Sequence, residues 1–539
     1  MRRRPVLVVL VALAAAILFA PAAHAAAGSA PPVLNATPPP GAQVLEYRFG
    51  PMKIQPGQNI IDVDVQQQRP DVDGWIVGFR PGLIDADTRK SPSVDVLHLH
   101  HAVWLVDFQP TFAAGEEKTY FNAPAGYGWR YTTKQVWLLN HMVHDLSASP
   151  RKVYITYTLW FIPDSAPQAA GIKPIRTQWM DVQGTKPYPV FNALHGQGSG
   201  GRFTYPDQAR NPYPGGRVRN RWVADRDAAL VIAAGHLHPG GLWTDLDLTR
   251  DGRTVRLFRS RAHYFEPAGP VSWDVAMTAT GPNWKVAIKK GDILSTTATY
   301  DTRKASWYEV MGIMVVGITD GPDGGVDPFT GHVDQSGHLT HGRLPENVER
   351  GVGRRNPGLS NPLRLRQGPF RDRVTIKNFV YQQGDLSSRG RAGLPPSVPQ
   401  GRRLEFVNAD RPPTVRYHTI TACRAPCNRT SGIRFPLADG PRTFDSGELG
   451  FGLKVNLTGL LGGESWVPMS PVVDTPARAA RCDKGVPDGV LGLLTSRCIG
   501  TTTWKTPKNL KTGLYTYYCR IHPFMRGAFR VVPKRKVTA

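Results

Sequence analysis

The first three quarters of this 539-residue chain contain no cysteine. All five cysteines lie between Cys423 and Cys519, so core packing or metal ions must hold the preceding residues together. The chain also has few segments with the 3.6-residue periodicity of an amphipathic helix, which argues against a helical fold. Beyond the amino-terminal leader, no segment approaches the roughly 20 apolar residues that a membrane-spanning helix needs.

Acidic residues are scarce as well, because 66 lysines and arginines face only 42 aspartates and glutamates. The arginines are scattered, and neither a basic helix nor a basic strand interleaved with aromatics is present, so no specific nucleic-acid partner is expected. We expect the basic surface to favour anionic polymers or lipid headgroups of the cell envelope.

The leader has the features of an export signal. Arg2-Arg3-Arg4 precedes an apolar run from Val6 to Ala20, and Ala23-His24-Ala25 fits a small-x-small cleavage site. We therefore predict a signal peptide over residues 1–25, a disordered leader over 26–43, and a secreted or cell-envelope location. No transmembrane span is predicted after the signal is removed.

The composition of the remaining chain is typical of β-sandwiches. Its 48 prolines and 55 glycines divide it into short apolar runs rich in valine, threonine and aromatics. More than 500 residues are too many for one core and indicate about three domains, so we predict an all-β fold of several sandwiches. Residues 321–372 are rich in Gly, Pro, Arg and Asp and are predicted to be a linker, in which His332, His338 and His341 are solvated.

Near the carboxyl end, Cys519, His522 and Met525 stand at Cys-x-x-His-x-x-Met spacing. A thiolate, an imidazole and a thioether suit copper in an electron-transfer site, and His418 on a distant strand supplies the further histidine that such a site needs. The alternative is a buried structural cysteine beside two ordinary histidines. The odd cysteine count supports a metal-bound thiolate at Cys519.

The other four cysteines can form two disulfides in three ways. The most local pairing joins Cys423 to Cys427 and Cys482 to Cys498.

With these motifs, residues 373 to 535 resemble a cupredoxin of the plastocyanin kind. The resemblance implies a Greek-key β-sandwich with a type 1 copper held by His418, Cys519, His522 and Met525. It also implies an electron donor or acceptor as a partner, whose identity the sequence does not indicate.

Histidines also cluster in the front part of the chain. Seven of the 15 histidines lie in three short β segments: His98, His100 and His101, then His141 and His144, then His236 and His238. Acidic residues are sparse there, and two histidines two positions apart on a strand point to one face, so both can bind one ion. This clustering favours metal ligation over ordinary core or surface histidines.

Together with Gly74–Phe79 and Gly291-Asp292-Ile293-Leu294, these clusters occur in the order of the copper type II, ascorbate-dependent monooxygenases, which include the peptidylglycine α-hydroxylating monooxygenases. Residues 44 to 320 resemble that family, which implies two jelly-roll-like sandwiches over 44–170 and 171–320. It also implies one or two type 2 coppers. One would be bound by His100, His101 and His141, and the other, catalytic one by His236, His238 and Met311, with Met314 as the alternative thioether.

The chain departs from that family at several positions. Ala234 stands where the family has the arginine that binds a peptide carboxylate, so a glycine-extended peptide is not the expected substrate. The loop between Tyr300 and Met311 is shorter, and the family's disulfides are absent. His98 and His144 have no counterpart and could support ligands or add to them.

Three functional classes remain open from the sequence. The first is a secreted copper monooxygenase that hydroxylates a C–H bond of a non-peptide substrate and receives electrons through the fused cupredoxin. The second is a non-enzymatic copper-binding and electron-transfer protein of the envelope, and the third is an interaction module. A multicopper oxidase is disfavoured, because Tyr518 and Arg520 flank Cys519 where those enzymes have histidines.

Overall fold

A computed structural model describes most of the chain between residues 31 and 534. The described ranges are 31–34, 37–55, 61–66, 68–92, 97–115, 117–145, 150–185, 189–194, 196–213, 217–265, 275–303, 305–344, 362–378, 380–386, 393–410, 418–424, 438–439, 443–446, 449, 454–456, 466–468, 502–519 and 525–534. The predicted signal peptide lies outside them, as do residues 26–30, 35 and 36 of the predicted leader.

The first sandwich consists of two sheets between residues 43 and 174. Its strands are β1 (Gln43–Ile54), β2 (Ile61–Val65), β3 (Gly74–Asp85), β4 (Leu97–Val106), β5 (Gln109–Ala114), β6 (Phe121–Asn122), β7 (Tyr127–Tyr131), β8 (Trp137–Asp145), β9 (Arg151–Pro163) and β10 (Lys173–Pro174). One sheet has the order β1-β9-β3-β7-β10, with β6 beside β3, and the other contains β2-β8-β4-β5. Aromatic rings fill the space between the sheets, where Phe79 lies 4.5 Å from Phe112 and 4.8 Å from Trp104 between ring centroids.

The second sandwich follows directly along the chain. Its strands are β11 (Arg176–Asp181), β12 (Phe191–Ala193), β13 (Arg202–Tyr205), β14 (Arg221–Val223), β15 (Ala228–Leu237), β16 (Gly241–Arg250), β17 (Arg253–Tyr264), β18 (Val275–Thr280), β19 (Val286–Ile288), β20 (Ile293–Asp301), β21 (Ala305–Val310), β22 (Gly312–Asp320) and β23 (Gly337–Leu339). Most of them form one continuous sheet in the order β11-β22-β15-β18-β17-β16-β20-β13. Its two halves share a buried core that includes Met314, Leu246 and Phe258.

The carboxyl-terminal region forms two further sheets. Its strands are β24 (Arg373–Lys377), β25 (Val380–Tyr381), β26 (Ser397–Pro399), β27 (Glu405–Asn408), β28 (Thr421–Arg424), β29 (Ala438–Asp439), β30 (Phe444–Asp445), β31 (Lys454–Asn456), β32 (Trp466–Pro468), β33 (Thr503–Lys505), β34 (Gly513–Tyr518) and β35 (Arg526–Val532). The sheets have the orders β25-β24-β27-β33 and β26-β35-β34-β28-β30. Between them, the Tyr517 ring lies 4.8 Å from Tyr381 and 5.1 Å from Phe406.

Short strands of this region also pair with the front of the molecule. β31 lies parallel to β2, with Ile61 opposite Val455 and Asp62 opposite Asn456, and β32 pairs with β31. β29 pairs with β21. The carboxyl-terminal region is therefore joined to both sandwiches by backbone hydrogen bonds as well as by the chain.

The predicted all-β, multi-sandwich fold is confirmed. The described residues contain no α-helix and only two short 3₁₀ helices, Pro167–Ala169 and Pro362–Arg364. Within the same residues, no helix is long and apolar enough to cross a membrane. The domain boundaries, and the jelly-roll and Greek-key orders, stay predictions.

The predicted linker is partly incorporated into the second sandwich. β23 pairs with β18, with His338 opposite Ala279, and His341 is only 3% exposed. His341 Nδ1 lies 2.6 Å from the Gly342 carbonyl oxygen, and the imidazole ring contacts Tyr120. The prediction that His341 is a solvated loop histidine is therefore wrong, because the turn after β23 folds back over the first sandwich.

Candidate metal centres

A β-bulge in β4 brings two adjacent histidines to one face of the sheet. The register between β4 and β8 shifts between Leu99 and His101, so that His100 is the extra residue. Adjacent side chains in a strand normally point to opposite faces, and a bulge re-aims one of them. The Nδ1 atoms of His100 and His101 accordingly lie 3.3 Å apart.

Strand β8 contributes His144 to the same face. His144 is directly opposite His98 in the register, and His98 Nε2 lies 3.0 Å from His144 Nδ1. Asn140, four residues before His144, also points to this face, and its side-chain oxygen lies 3.1 Å from His101 Nε2. The face therefore carries four imidazoles from two neighbouring strands.

His141 points to the opposite face, because it is three residues from His144 on the same strand. Its Nε2 atom lies 3.0 Å from a carboxylate oxygen of Asp64, and its ring lies 5.3 Å from Phe49 between centroids. It is thus part of the interior of the first sandwich. The structure does not bring His141 to the His100–His101 pair around one common point.

The His-x-His motif lies at the end of β15, next to β22. His236 is opposite Ile313 in the register, so His236, His238 and Met311 lie on one face of the second sandwich. That face looks toward the face of β4 and β8 that carries His100, since the rings of His100 and His238 are 5.1 Å apart and perpendicular.

The two candidate methionines occupy different surroundings. Met311 borders the interface between the two sandwiches. Met314 is opposite Gly235 in the register and is fully buried in the core of the second sandwich. Met311 is therefore the thioether that lies beside the His-x-His motif.

The Tyr300 hydroxyl ties together the two segments that carry this motif and the methionine. It donates a 2.6 Å hydrogen bond to the Met311 carbonyl oxygen and accepts a 3.1 Å hydrogen bond from the His238 N–H. Complete burial raises the pKa of Tyr300 well above its usual value, so the hydroxyl stays protonated and keeps its donor. Tyr300 thus fixes the spacing between His238 and Met311.

Six histidines from three strands form one continuous group at the interface of the sandwiches. We call this group the interface histidine cluster: His98, His100, His101, His144, His236 and His238. His100 lies at its centre, with ring centroids 4.8 Å from His144 and 5.6 Å from His101 in addition to the contact with His238. His236 is joined through His238, 5.2 Å away.

His100 and His101 are held in their neutral form. Burial is the main cause that lowers the pKa of His100 well below its usual value, and the neighbouring histidines, beginning with His144, lower it further. Burial likewise lowers the pKa of His101 to about 4, although its hydrogen bond to Asn140 opposes the shift. A neutral imidazole has a lone pair available for a metal, so these groups can act as ligands at neutral pH.

One carboxylate links the two sandwiches within the cluster. Glu117, in the segment after β5, places an oxygen 2.7 Å from His236 Nδ1, and its side chain is only 2% exposed. Burial alone would raise the pKa of Glu117, but the contacts with His236 and with the N–H of Gly115 outweigh it and lower the pKa. Gly115 permits this approach, since a Cβ there would lie 2.8 Å from His236 Cε1.

A small cavity adjoins this pair of residues. Its volume is about 50 Å³. One water molecule needs only about 10–15 Å³, so the cavity is larger than a single-water site. Its lining is His101, Val103, Ala113, Ala114, Glu117, Thr119, Phe121, Trp179, Ala234, Gly235, His236, Met311, Ile313 and Val315. Both sandwiches contribute, and the lining is mainly apolar apart from the groups at the histidine end, so the cavity suits a small apolar molecule.

A second group of metal-type side chains lies in the carboxyl-terminal region, and we call it the Cys519 centre. Cys519, Met525 and His418 are all fully buried. The Cys519 sulfur accepts a hydrogen bond from the Thr419 N–H at 3.3 Å, and the Cys519 N–H donates to the Met525 carbonyl oxygen at 3.2 Å. Cys519 carries a thiol rather than a disulfide, as the cysteine count predicts.

His418 is oriented by a carboxylate. Its Nε2 atom lies 2.8 Å from a carboxylate oxygen of Asp410, which is also buried. Burial alone would lower the pKa of His418, but the bonds to Asp410 and to the Cys519 sulfur together raise it. Because Nε2 is engaged by Asp410, His418 Nδ1 is the nitrogen on the side of Cys519. This pairing is the kind of outer support that fixes the ring of a ligating histidine.

The donor set of the Cys519 centre fits copper, because thiolate, imidazole and thioether are soft or borderline ligands. His522 lies outside the described residues, as do the partners of both predicted disulfides: Cys427, Cys482 and Cys498. Among the described residues, no three His, Cys, Asp or Glu side chains already surround a common point suited to an ion. Both centres are therefore groupings of suitable side chains rather than preformed coordination spheres.

Sequence reasoning missed the carboxylates that support the histidines. Glu117 and Asp410 carry no motif, and Glu117 is 119 residues from His236 along the chain. Only Asp410 had a sequence signal, since it precedes His418 by eight residues after a predicted strand. Glu117 offered none.

No protein-family model matches this chain, and no curated protein matches it. Among solved structures, the VP2 subviral particle of infectious bursal disease virus is 10% identical with a TM-score of 0.16, over 54% of this chain and 75% of that chain. The T13 particle of the same virus is 9% identical with a TM-score of 0.16, over 54% and 72%. Likeness at these TM-scores carries no argument about fold or function.

Proposed function

We propose that the protein is an exported copper monooxygenase that hydroxylates a C–H bond of a small, non-peptide substrate. The observation that carries the proposal is the convergence of metal-type side chains from both sandwiches on one interface, next to an apolar cavity. Imidazoles with a thioether suit copper, which supplies one-electron chemistry and oxygen activation when bound. In the balanced reaction, one oxygen atom enters the C–H bond and the other leaves as water, with two protons and two electrons from a reductant such as ascorbate.

The chain's own residues would orient the ligands and exclude water. Glu117 holds His236 by its Nδ1 atom, which leaves Nε2 for the metal, and Tyr300 fixes the distance between His238 and Met311. The apolar lining of the cavity would hold a small hydrocarbon-like group beside His236 and Met311. Ala234 offers no charge for a carboxylate, consistent with a non-peptide substrate.

The Cys519 centre would transfer electrons, as a type 1 copper site does. Three observations support this role. Cys519 and Met525 are buried, the Thr419 N–H donates a hydrogen bond to the Cys519 sulfur, and Asp410 orients His418. A buried, pre-oriented donor set changes little between oxidation states, which favours rapid electron transfer. The proposal includes export, on the strength of the leader, and attraction to anionic envelope polymers through the net charge of +24.

Copper quantitation with electron paramagnetic resonance, followed by oxygen-uptake assays with ascorbate, tests the proposal. We expect a type 1 signal together with type 2 signals, and uptake stimulated by small apolar substrates. Met311→Ile should abolish the stimulated uptake, while the matched control Met314→Leu, in the core of the second sandwich, should retain it. A type 1 signal alone, with no uptake above that of unbound copper, would contradict the enzyme.

The second candidate is a non-enzymatic copper-binding and electron-transfer protein of the envelope. The observation that favours it is the low exposure of the cluster, since His100 is 4% and His238 is 2% exposed, which limits access to any bound metal. This candidate predicts the full copper content without substrate-dependent oxygen uptake.

A further inference from the structure

The family resemblance implies a first copper site whose three ligands do not all lie on one face of the sheet. These ligands are His100, His101 and His141, but His141 points into the first sandwich, toward Asp64 and Phe49. A β-strand cannot turn a single interior side chain to the other face without a change of register. The register shift between β4 and β8 adds its extra residue, His100, to β4 and not to β8, so alternation along β8 continues through His141.

We propose that His98, His100 and His144 form the metal site of the first sandwich, and that His141 is not a ligand. The inference rests on the proposed function only in taking copper as the ion. It assigns to His98 and His144 a role that the family resemblance does not supply.

The distances among these three residues support a shared ion. His98 Nε2 and His144 Nδ1 are 3.0 Å apart, and ligand nitrogens about 2.0–2.1 Å from a tetrahedral metal are separated by about 3.3 Å. The ring centroids of His144 lie 5.0 Å from His98 and 4.8 Å from His100. Rotations of the rings, which would also bring His98 closer to His100 than the present 6.5 Å between ring centroids, would replace the hydrogen bond between His98 and His144 by two bonds to one ion. The hydrogen that the two nitrogens now share would move to the other nitrogen of the donor ring, so both histidines would stay neutral.

The surroundings of the site also suit a metal. All three histidines are buried, at 4–8% exposure, and β4 and β8 hold them rigidly in one sheet. The ring of His238 lies 5.1 Å from that of His100 and perpendicular to it. A metal held by His98, His100 and His144 would therefore lie near the His-x-His motif of the second sandwich.

The test compares three variants of the full chain in a Cys519→Ser background, so that the Cys519 centre does not contribute copper. Competitive titration with a Cu(I) chelator measures affinity for His144→Gln, His98→Gln and the matched control His141→Gln. His144→Gln and His98→Gln should each lower the affinity for one copper equivalent by more than about 100-fold. Loss of a carboxylate that only supports a ligand costs about 10–100-fold in affinity, and loss of a ligand itself should cost more. His141→Gln should leave both copper equivalents unchanged.

A second test uses nuclear magnetic resonance of the imidazole nitrogens in the Cys519→Ser protein itself. It does not depend on whether the histidine variants fold. Cu(I) should shift the resonances of His98 and His144 and leave those of His141 in place. Loss of copper with His141→Gln but not with His144→Gln, or shifts confined to His141, would overturn the inference alone. A Cys519→Ser protein that binds no copper would overturn the proposed function as well.

Discussion

The Cys519 centre and the interface histidine cluster group their side chains in different ways. The Cys519 centre lies within one sandwich, where Cys519 follows β34 and His418 precedes β28, two strands that pair directly. The interface histidine cluster draws on β4 and β8 of one sandwich and on β15 of the other. The first grouping follows from a single sheet, whereas the second exists only while two sandwiches remain packed together.

This difference indicates which contacts each centre depends on. The Cys519 centre needs its own core and the Asp410–His418 bond. The cluster depends on contacts that join the sandwiches, and one such contact is a network in which Asp323 accepts hydrogen bonds from Tyr127, Lys173 and Lys285. Changes at either centre should therefore leave the other intact, while changes between the sandwiches should affect only the cluster.

The largest expected effect comes from Cys519→Ser. The intense visible absorption of a thiolate bound to copper should disappear completely, because serine cannot replace the thiolate. Copper bound at the cluster should be unchanged, as measured by type 2 resonance signals. The control Met525→Leu should keep the colour and alter only the reduction potential. A Cys519→Ser protein that also loses the cluster's copper would show that the two centres are not independent.

Glu117→Gln should have the next largest effect. Removal of the charge next to His236 should weaken copper binding at the cluster by about 10–100-fold, the usual cost of losing an outer carboxylate. The visible absorption of the Cys519 centre should stay constant. Asp64→Asn is the matched control, because Asp64 contacts His141 on the other face of the sheet. Equal losses with both variants would mean that general destabilisation explains the result.

Met311→Leu should weaken Cu(I) binding at the cluster on the order of tenfold, or about 1.4 kcal/mol, because a thioether favours Cu(I). Met314→Leu should cost less than about 1.5 kcal/mol of stability, as a volume-conserving core change, and leave copper affinity unchanged. Chelator competition and thermal unfolding separate these effects. The reverse result would assign the thioether to Met314.

Asp323→Asn should have the smallest effect, a loss of about 1 kcal/mol in the free energy of unfolding at neutral pH. The hydrogen bonds from Lys173 and Tyr127 lower the pKa of Asp323 to about 2. A carboxylate whose pKa is lower in the folded protein than in the unfolded one stabilises the fold at pH values above its unfolded pKa of about 4. This stabilisation is lost as the pH falls toward 2. Denaturation of wild type and variant between pH 7 and pH 2 should therefore show a difference that narrows on acidification. A constant difference would exclude this ionic contribution.

The sequence predicted the strands of the interface histidine cluster but not their detailed faces. Alternation identifies β4 and β8 as strands, yet the bulge at His100 that brings His100 and His101 together has no sequence signal. Side chains alternate along a strand, so residues three positions apart point to opposite faces. This rule alone could have indicated that His141 and His144 do not share a face. The motif order of the family that the chain resembles points to His141, which the structure places on the other face of β8.

Contacts between distant segments could not be predicted at all. Glu117 meets His236 through the packing of two sandwiches, and no spacing rule covers a separation of 119 residues. His341 was predicted to be solvated because its segment has the composition of a linker, but the turn after β23 is covered by Tyr120 and Phe265. Burial of this kind depends on tertiary packing that local composition does not encode.

The pairing of β31 with β2 makes the carboxyl-terminal region a cover for one edge of a sheet of the first sandwich. The backbone groups of Ile61 and Asp62 bond to β31, so a protein truncated after residue 372 would leave β2 as an unprotected edge strand. Edge strands of this kind recruit other chains, and such a fragment should self-associate when produced alone. Supplying the carboxyl-terminal region as a separate polypeptide should restore solubility, so the two parts are suited to expression as a complementing pair and not as independent modules.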